Sequence, residues 1–523
     1  MKWLERTVSA LLALSVLAII FGSTFLPMND APSHIANGVI AHKLLAGDSF
    51  FAAHYRFDLI PVPYLATVLL MVLGLPVLSP LWTWKLIIGL YAILLPLSCH
   101  FLSCSVEPPR LPGDDSADSI APLLPLSVLA IFHWGYWMGE SNYLLGQPVA
   151  LFALALLIRS ERLLSGSFFG FLLLSVVAYL CHIYALTMLL IGATSWAFVA
   201  LLAHRFSALS SHKLRVHHGV GLAFVYVLFA VAAYFVLFQH GSDSNRGSLG
   251  FDLSPKRLVH MLIDPFDSPE PAPRITIGLL YASVLATWLW AHRDRLWQLT
   301  ELVRPALLIP GLTLILAAYL GPVSILAADG TQKEGEIAIR FVLGGFLLTM
   351  LSLRMPKLTA LRSPRALLLL LLLLFAGVQL HGALRLHRSV DAKLQRIEQT
   401  LLAKIPAHSR VLPLLDLPEA QWRDYLIHRL GNYVVLRDSY SPHIFAVRGQ
   451  HPLRHLPWGD QREVANLQVT DEEWRYYDYV LLYQRSPTLG PSLASHLTPL
   501  GSQDDFHLWQ VRRPTAAATP PVR

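Results

Sequence analysis

The sequence predicts an α-helical polytopic membrane protein of about eleven to thirteen spans, followed by a small extramembrane α/β domain. Three observations carry that prediction. Of the 523 residues, 54% are hydrophobic and 14% charged, with a mean hydropathy of +0.49; so apolar a chain cannot present a water-facing exterior. Apolar runs approaching the ~20 residues that cross a bilayer recur as far as residue 384. From Arg385 onward these runs shorten, and charged residues and histidines take their place.

The first span runs from about Thr7 to Pro27 behind Lys2 and Arg6. It is long for a signal-peptide core and no A-x-A-like site precedes Asn29, so it reads as an anchor with its N-terminus in the cytoplasm. Further apolar segments lie near 61–78, 81–104, 120–138, 143–158, 166–182, 184–203, 219–239, 275–291, 305–327, 337–353 and 366–384. The loop bearing Arg354, Lys357, Arg362 and Arg365 has no acid and is expected to be cytoplasmic. The loops bearing Arg293, Arg295 and Arg304, and Arg205, Lys213 and Arg215, agree with it. Loops 240–274 and 328–336 then face outward, and the last span delivers the C-terminal part to the outside. That topology needs an odd number of spans, whereas the segments number twelve. The surplus is expected within 55–158, where Pro61, Pro63, Pro76, Pro80, Pro122, Pro125 and Pro148 punctuate the runs and one piece can be re-entrant or interfacial.

The expected organisation is a membrane domain over 1–384, with a first outer loop at 28–60, an extracytoplasmic α/β domain over 385–513, and a disordered tail over 514–523. In the α/β domain a helix is expected over Val390–Lys404 and strands at Arg410–Leu415, Tyr433–Leu436, Tyr479–Tyr483 and His507–Val511. A net charge of +7 and a pI near 9.2 do not indicate nucleic acid, because the basic residues are dispersed among short loops. Cys99, Cys104 and Cys181 lie inside apolar segments with no zinc or redox spacing, and read as small buried hydrophobes. No P-loop or dinucleotide fingerprint is present.

The chemistry-bearing residues begin with Met28-Asn29-Asp30-Ala31-Pro32-Ser33-His34, where the first span meets water. Pro32 suits the first turn of a helix, and Ile35 to Gly47 reads as a short amphipathic helix. Asp30 then has two readings: a cap for that helix, or a base above the membrane that takes a proton from a hydroxyl. His34, four residues on, lies near the same face and can tune Asp30 or touch a phosphate. Arg340, in Ile337-Ala-Ile-Arg-Phe341 at the outer start of an apolar span, is costly there unless it snorkels, pairs with Glu336 or serves a substrate. Glu140 and Asn142, in the polar turn Gly139-Glu140-Ser141-Asn142-Tyr143, can line a cavity, and the aromatics before them read as an interfacial belt. His182 in Cys181-His-Ile-Tyr184 is a further candidate, with a hydrogen-bonded structural role as its alternative. The charges Arg246, Lys256, Arg257, Asp264 and Asp267 of loop 240–274 read as a solvated surface, as do His443, His451 and His455.

One span, an outer loop with an acid, the helix Ile35-Ala-Asn-Gly-Val-Ile-Ala-His-Lys-Leu-Leu-Ala-Gly-Asp48 and the Pro61-Val-Pro63-Tyr64 entry to the next segment together resemble the GT-C membrane glycosyltransferases. Protein O-mannosyltransferases and lipid A aminoarabinose transferases belong to that superfamily. The resemblance implies transfer of a sugar from a polyprenyl-phosphate carrier to a lipid, glycan or protein acceptor at the outer face of a bacterial-type inner membrane. It maps the family's first-loop base onto Asp30 and implies membrane lipid and a polyprenyl-linked sugar donor as partners. Where the family often carries a pair of acids, this chain has Asn29-Asp30; that leaves a single-base mechanism without a cofactor, with a divalent metal as the alternative that the missing acid disfavours. The cationic contact for the departing phosphate is then Arg340, and His34, Glu140, Asn142 and His182 are the further substrate-binding candidates. Two other classes compete: a non-catalytic assembly protein of an envelope polysaccharide pathway, and a lipid or sugar transporter, against which the near absence of mid-span charges speaks.

Overall fold

The computed structural model describes residues 2–106, 124–206, 215–238, 248–263, 269, 271–294, 303–326, 332–334, 337, 339–354, 364–416, 428–446, 451–456, 476–484 and 495–512. Arg246, Asp264, Asp267, Glu336, Lys213, Arg295, Lys357, Arg362 and the 514–523 tail lie outside the described residues. The chain divides into two units. One comprises Met1–Gly22, Pro61–Thr67 and Lys85–Leu386; the other comprises Ser23–Ile60, Val68–Trp84 and His387–Arg523.

The first unit is mainly helical, with a small antiparallel sheet of Ser248–Gly250, Ser324–Leu326 and Gln332–Glu334; the second of these strands replaces the end of the span expected at 305–327. Among the described residues five helices are long and apolar enough to cross a membrane: Pro80–Val106, Ser141–Arg159, Ile183–Leu202, Val216–Tyr234 and Leu370–Lys404. Shorter apolar helices include Thr7–Gly22, Gly166–Cys181, Pro305–Leu320 and Ile339–Ser352. The proline-punctuated region behaves differently from an uninterrupted series of spans. The segment expected at 61–78 forms only Leu65–Gly74, about 15 Å of helix, half the thickness of a hydrocarbon core. The segment expected at 120–138 breaks into Leu124–Leu129 and Trp134–Met138. The second of these pieces is capped by the His133 ring, which accepts from Gly135 N at 2.9 Å, and it ends at Gly139 with φ +79°.

With α1 assigned to Pro305–Leu320 and α2 to Ile339–Ser352, these two helices pack backbone to backbone in this unit. A Cβ placed on Gly345 would lie 2.8 Å from the Gly311 carbonyl oxygen and 3.2 Å from Ile315 N, the close approach that small residues permit between membrane helices. Each helix ends on a buried arginine. Arg304 donates to the carbonyls of Leu351 and Leu353, both at 3.2 Å, at the end of α2. Arg257 donates to Ala318 O at 2.8 Å and Gly321 O at 3.0 Å at the end of α1. A guanidinium there satisfies orphan carbonyls and meets the negative end of the helix dipole. Arg257, expected on a solvated surface, is therefore 6% exposed and structural.

The second unit contains helix α3, Ala31–Leu45, and a four-stranded mixed sheet. Strand β1 (Val411–Asp416) runs parallel to β2 (Tyr479–Gln484), which pairs antiparallel with β3 (Phe506–Val511); β4 (Leu497–Gln503) completes the order β1-β2-β3-β4. Val411, Leu412, Leu414, Val480, Leu481 and Leu508 form its buried rows. Three expectations change here. Tyr433–Leu436, expected as a strand, lies in the 3-10 segment His428–Arg437. The strand Leu497–Gln503 was not anticipated, because Pro499 and Gly501 disguise its alternation and a register shift falls between them. The expected helix at Val390–Lys404 is the end of one continuous helix, Pro364–Thr400, followed by a short 3-10 turn at Leu402–Lys404.

Within this unit α3 is enclosed rather than one-sided: every residue from Ala31 to Ala41 is buried. The amphipathic helix expected from the sequence has its polar positions, Ser33, His34 and Asn37, turned into protein contacts. Ser33 Oγ accepts from Asn432 Nδ2 at 2.8 Å, and Asn37 Nδ2 donates to Phe445 O at 2.9 Å. Gly38 is required, since a Cβ there would fall 2.3 Å from Met71 Cβ. The chain entering α3 is fixed by Asp391, whose carboxylate accepts from Thr24 N at 3.0 Å and Phe25 N at 2.8 Å.

Candidate active site

The six residues singled out from the sequence fall into two groups, one in each unit. Asp30 and His34 lie in the second unit, on the first turns of α3. Asp30 occupies the N-cap position, but its side chain makes no capping hydrogen bond, so the cap reading does not describe it. Its carboxylate instead forms an ion pair with Arg429, Oδ1 to Nε at 2.9 Å, with both side chains 17% exposed. Arg429 lies on the 3-10 segment His428–Arg437, and its guanidinium carbon sits 4.8 Å from the centre of the Phe445 ring.

The same phenylalanine joins two histidines. The His34 ring lies 5.0 Å from Phe445 and stacks on Trp84 at 5.9 Å and 15°; the His451 ring stacks on Phe445 at 5.3 Å. Burial, then the neighbouring His451, then the positive charge of Arg429 push the His34 pKa down to about 3. Burial does the same to His451, down to about 3. Both rings are therefore neutral at physiological pH. His443, His451 and His455, expected as scattered surface histidines, are 8%, 7% and 2% exposed. His451 and His455 are packed against aromatic rings: His455 lies 5.1 Å from Tyr55 and 5.9 Å from Tyr440.

The second group lies in the first unit. Arg340, the second residue of α2, meets Glu140, 200 positions away. Its Nε is 3.0 Å from both carboxylate oxygens, and Nη2 also bonds Oε1. The side chains are 10% and 11% exposed. The guanidinium lies over the rings of Tyr184 at 4.7 Å and Trp134 at 5.8 Å, and Tyr143 Oη donates to Arg340 O. Asn142 Oδ1 accepts from Thr67 N at 3.0 Å and Thr67 Oγ1 at 2.8 Å. His182 caps the following helix turn by accepting from Tyr184 N at 3.0 Å, and its ring lies 4.4 Å from Tyr64 and 5.8 Å from Tyr143. Tyr64 has a left-handed φ of +71° and donates its N–H to Cys181 O at 3.2 Å; so bulky a residue holds that conformation only under tertiary constraint. The Pro61-Val-Pro63-Tyr64 entry is thereby fastened to the His182 turn. Glu140, Asn142, His182 and Arg340 thus belong to one polar and aromatic cluster.

Sequence reasoning missed Arg429, Trp84, Phe445 and Thr67. Arg429 follows no periodic signal, and Trp84 reads as an ordinary interfacial aromatic. Among the described residues no group of three or more His, Cys, Asp or Glu side chains converges as a metal centre would require.

No protein-family model and no curated protein matches the chain. Solved structures do. ArnT from Cupriavidus metallidurans in the apo state aligns with 97% of this chain and 98% of its own length, at 13% identity and a TM-score of 0.52. ArnT from the same organism bound to undecaprenyl phosphate aligns over 97% of each chain at 12% identity and a TM-score of 0.49. The chain therefore has the fold of ArnT along nearly its whole length.

Proposed function

We propose that this protein transfers a sugar from a polyprenyl-phosphate carrier to an acceptor at the outer face of a bacterial inner membrane, with Asp30 as the base. The observation that carries the reading is Asp30 itself. It follows the first apolar helix, occupies the start of a buried helix without capping it, and pairs with Arg429 at 2.9 Å while its side chain stays 17% exposed. A structural cap would spend its oxygens on the helix N–H groups.

The acceptor hydroxyl attacks the anomeric carbon, the bond from that carbon to the phosphate oxygen breaks, and its electron pair leaves with the phosphate. The hydroxyl proton passes to Asp30. Positive charge builds on the sugar ring and negative charge on the leaving oxygen, so fixed charges of both signs lower the barrier. Arg340 is assigned to substrate binding as a cationic contact for phosphate, oriented by Glu140 and by the faces of Tyr184 and Trp134. His34 is assigned to substrate binding beside Asp30, as a neutral hydrogen-bonding ring. Asn142 and His182 are assigned to the same function as Arg340, holding the wall of its cluster. Because an amide at Asn29 replaces the second acid common in the resembling family, the proposed displacement uses a single carboxylate and no divalent metal.

Lipid extraction and mass spectrometry test the donor. Cells lacking the protein should accumulate a polyprenyl-phosphate sugar that disappears when the wild-type chain is restored and persists with Asp30→Asn. Unchanged lipid-linked sugars in all three strains would reject the reading.

A further inference from the structure

A cluster that the proposed transfer does not use lies in the second unit, where the four-stranded sheet meets the short helix Ser49–His54. Arg410 and Asp478 stand side by side just before the parallel strands β1 and β2 and join in a bidentate pair, Nε to Oδ2 at 3.1 Å and Nη2 to Oδ1 at 3.0 Å. Their side chains are 28% and 19% exposed. The guanidinium carbon lies 4.9 Å from the centre of the half-buried Tyr476 ring. The His54 ring is 6.3 Å from the same tyrosine and 4.6 Å from Phe50, which stacks in turn on the exposed His408 at 4.9 Å.

Two polar groups on either side of Tyr476 have no hydrogen-bond partner among the described residues. Arg410 spends Nε and Nη2 on Asp478, which leaves Nη1 to donate. His54 Nδ1 lies 2.7 Å from Phe50 O, and a carbonyl only accepts, so Nδ1 carries the proton. Burial lowers the His54 pKa, so the ring is neutral and Nε2 is an acceptor. The charges of Arg410 and Asp478 cancel. A phosphate or carboxylate must displace Asp478 to reach the fork, whereas a hydroxyl can accept from Nη1 or donate to Nε2 and leave the pair intact. A pyranose also has a face of C–H groups, whose weakly positive hydrogens rest against the negative face of an aromatic ring.

We propose that Arg410, His54 and Tyr476, with Phe50 and His408 beside them, form a binding subsite for a neutral pyranose of a glycan. Arg410 donates to a ring hydroxyl, His54 accepts from another, Tyr476 carries the C–H face, and Asp478 holds the guanidinium in plane. Aromatic surface with a few fixed polar groups is what orients a small polar ligand. The subsite makes the acceptor of the proposed transfer one that carries a glycan; that assignment rests on the sugar-transfer reading, whereas the binding itself does not.

The full chain in lipid nanodiscs is titrated with the methyl glycosides of glucose, mannose, galactose and N-acetylglucosamine, and with glucose 1-phosphate. Binding is read by saturation-transfer difference NMR. At least one neutral glycoside should bind, more tightly than glucose 1-phosphate, with the strongest transfer to its ring C–H protons. His54→Phe keeps the ring but removes the acceptor, and should weaken binding by roughly three- to tenfold. Arg410→Lys keeps the charge but loses the planar fork, and should weaken it by at least as much. Tyr476→Leu should cost roughly two- to tenfold. Binding of none of the glycosides, tighter binding of glucose 1-phosphate, or an affinity unchanged in His54→Phe and Arg410→Lys overturns the subsite. If Tyr476→Leu does not fold, the other two variants carry the same test. A chain that binds a glycoside in this way but leaves lipid-linked sugars unchanged in the three strains above keeps the subsite and loses the acceptor assignment.

Discussion

Replacing Glu140 with leucine should be far more damaging alone than together with Arg340→Met. The pair is nearly buried, with side chains 10% and 11% exposed, and Arg340 Nε lies 3.0 Å from both carboxylate oxygens. Removing one partner of such a pair strands a charge and costs about 3–5 kcal/mol. Glu140→Leu falls toward the lower end, because the rings of Tyr184 and Trp134 still face the cation and retain about 0.5–2 kcal/mol. Arg340→Met strands the carboxylate with no such relief and falls toward the upper end. The double substitution leaves no charge, and its cost should be about 1–2 kcal/mol, because apolar replacements of a buried pair are often close to neutral. The two single costs together therefore exceed that of the double by about 6–7 kcal/mol, a coupling well above the ~0.5 kcal/mol that independent sites show. Reversible unfolding in mixed micelles titrated with SDS measures all four corners of the cycle. A coupling below about 0.5 kcal/mol would refute the reasoning, for the charges would then be solvated separately.

Other consequences are equally specific. Gly345→Ala puts a Cβ 2.8 Å from the Gly311 carbonyl and 3.2 Å from Ile315 N, both backbone atoms that cannot rotate away. It should destabilise the chain by about 1–3 kcal/mol in the same titration, and a neutral result would mean that these helices do not touch there. Acid should weaken the second unit through His34 and His451, whose pKa values are lowered to about 3. The unfolded chain takes up these protons first, at about 6.5. Their contribution is thus intact above about pH 6.5 and is lost as pH falls toward 3, by up to about 1.4 kcal/mol per pH unit for each histidine. Thermal unfolding between pH 4.5 and 7.5 should show a shallower acid limb in His34→Phe than in wild type. Equal slopes would locate the acid sensitivity elsewhere.

The parts of this molecule that could be read from sequence are those set by local physics. The apolar runs beyond residue 158 reappear as helices because length and hydropathy alone decide them. Asp30 stands out in the sequence because a span, an acid and Pro32 follow one another within a few residues. What escaped depends on partners far apart in the chain. Arg340 suggested Glu336 by helical spacing, yet it pairs with Glu140, 200 residues away. Arg429 lies 399 residues after Asp30, and nothing near it in sequence marks it as a partner. Arg257 looked like a solvated charge until the carbonyls at the end of Pro305–Leu320 supplied its environment. The Val-Val-Leu of Tyr433–Leu436 has strand propensity, but packing against Ala31–Leu45 holds it in a 3-10 segment. Proline positions alone did not locate the helix breaks there: Pro96 and Pro148 lie inside the continuous helices Pro80–Val106 and Ser141–Arg159, whereas the break between Leu129 and Trp134 contains no proline and is set by the His133 cap.

The central claim is that Asp30 takes the proton of the acceptor, and single-turnover sugar transfer tests it most directly. Wild type and Asp30→Asn are reconstituted in proteoliposomes with the polyprenyl-phosphate sugar identified by lipid extraction, and release of polyprenyl phosphate is followed by mass spectrometry. Removing a general base and the charge opposite a developing cation should slow transfer by at least about 10³-fold, while the donor remains bound and the protein folded. Transfer by Asp30→Asn within about tenfold of wild type would contradict that role.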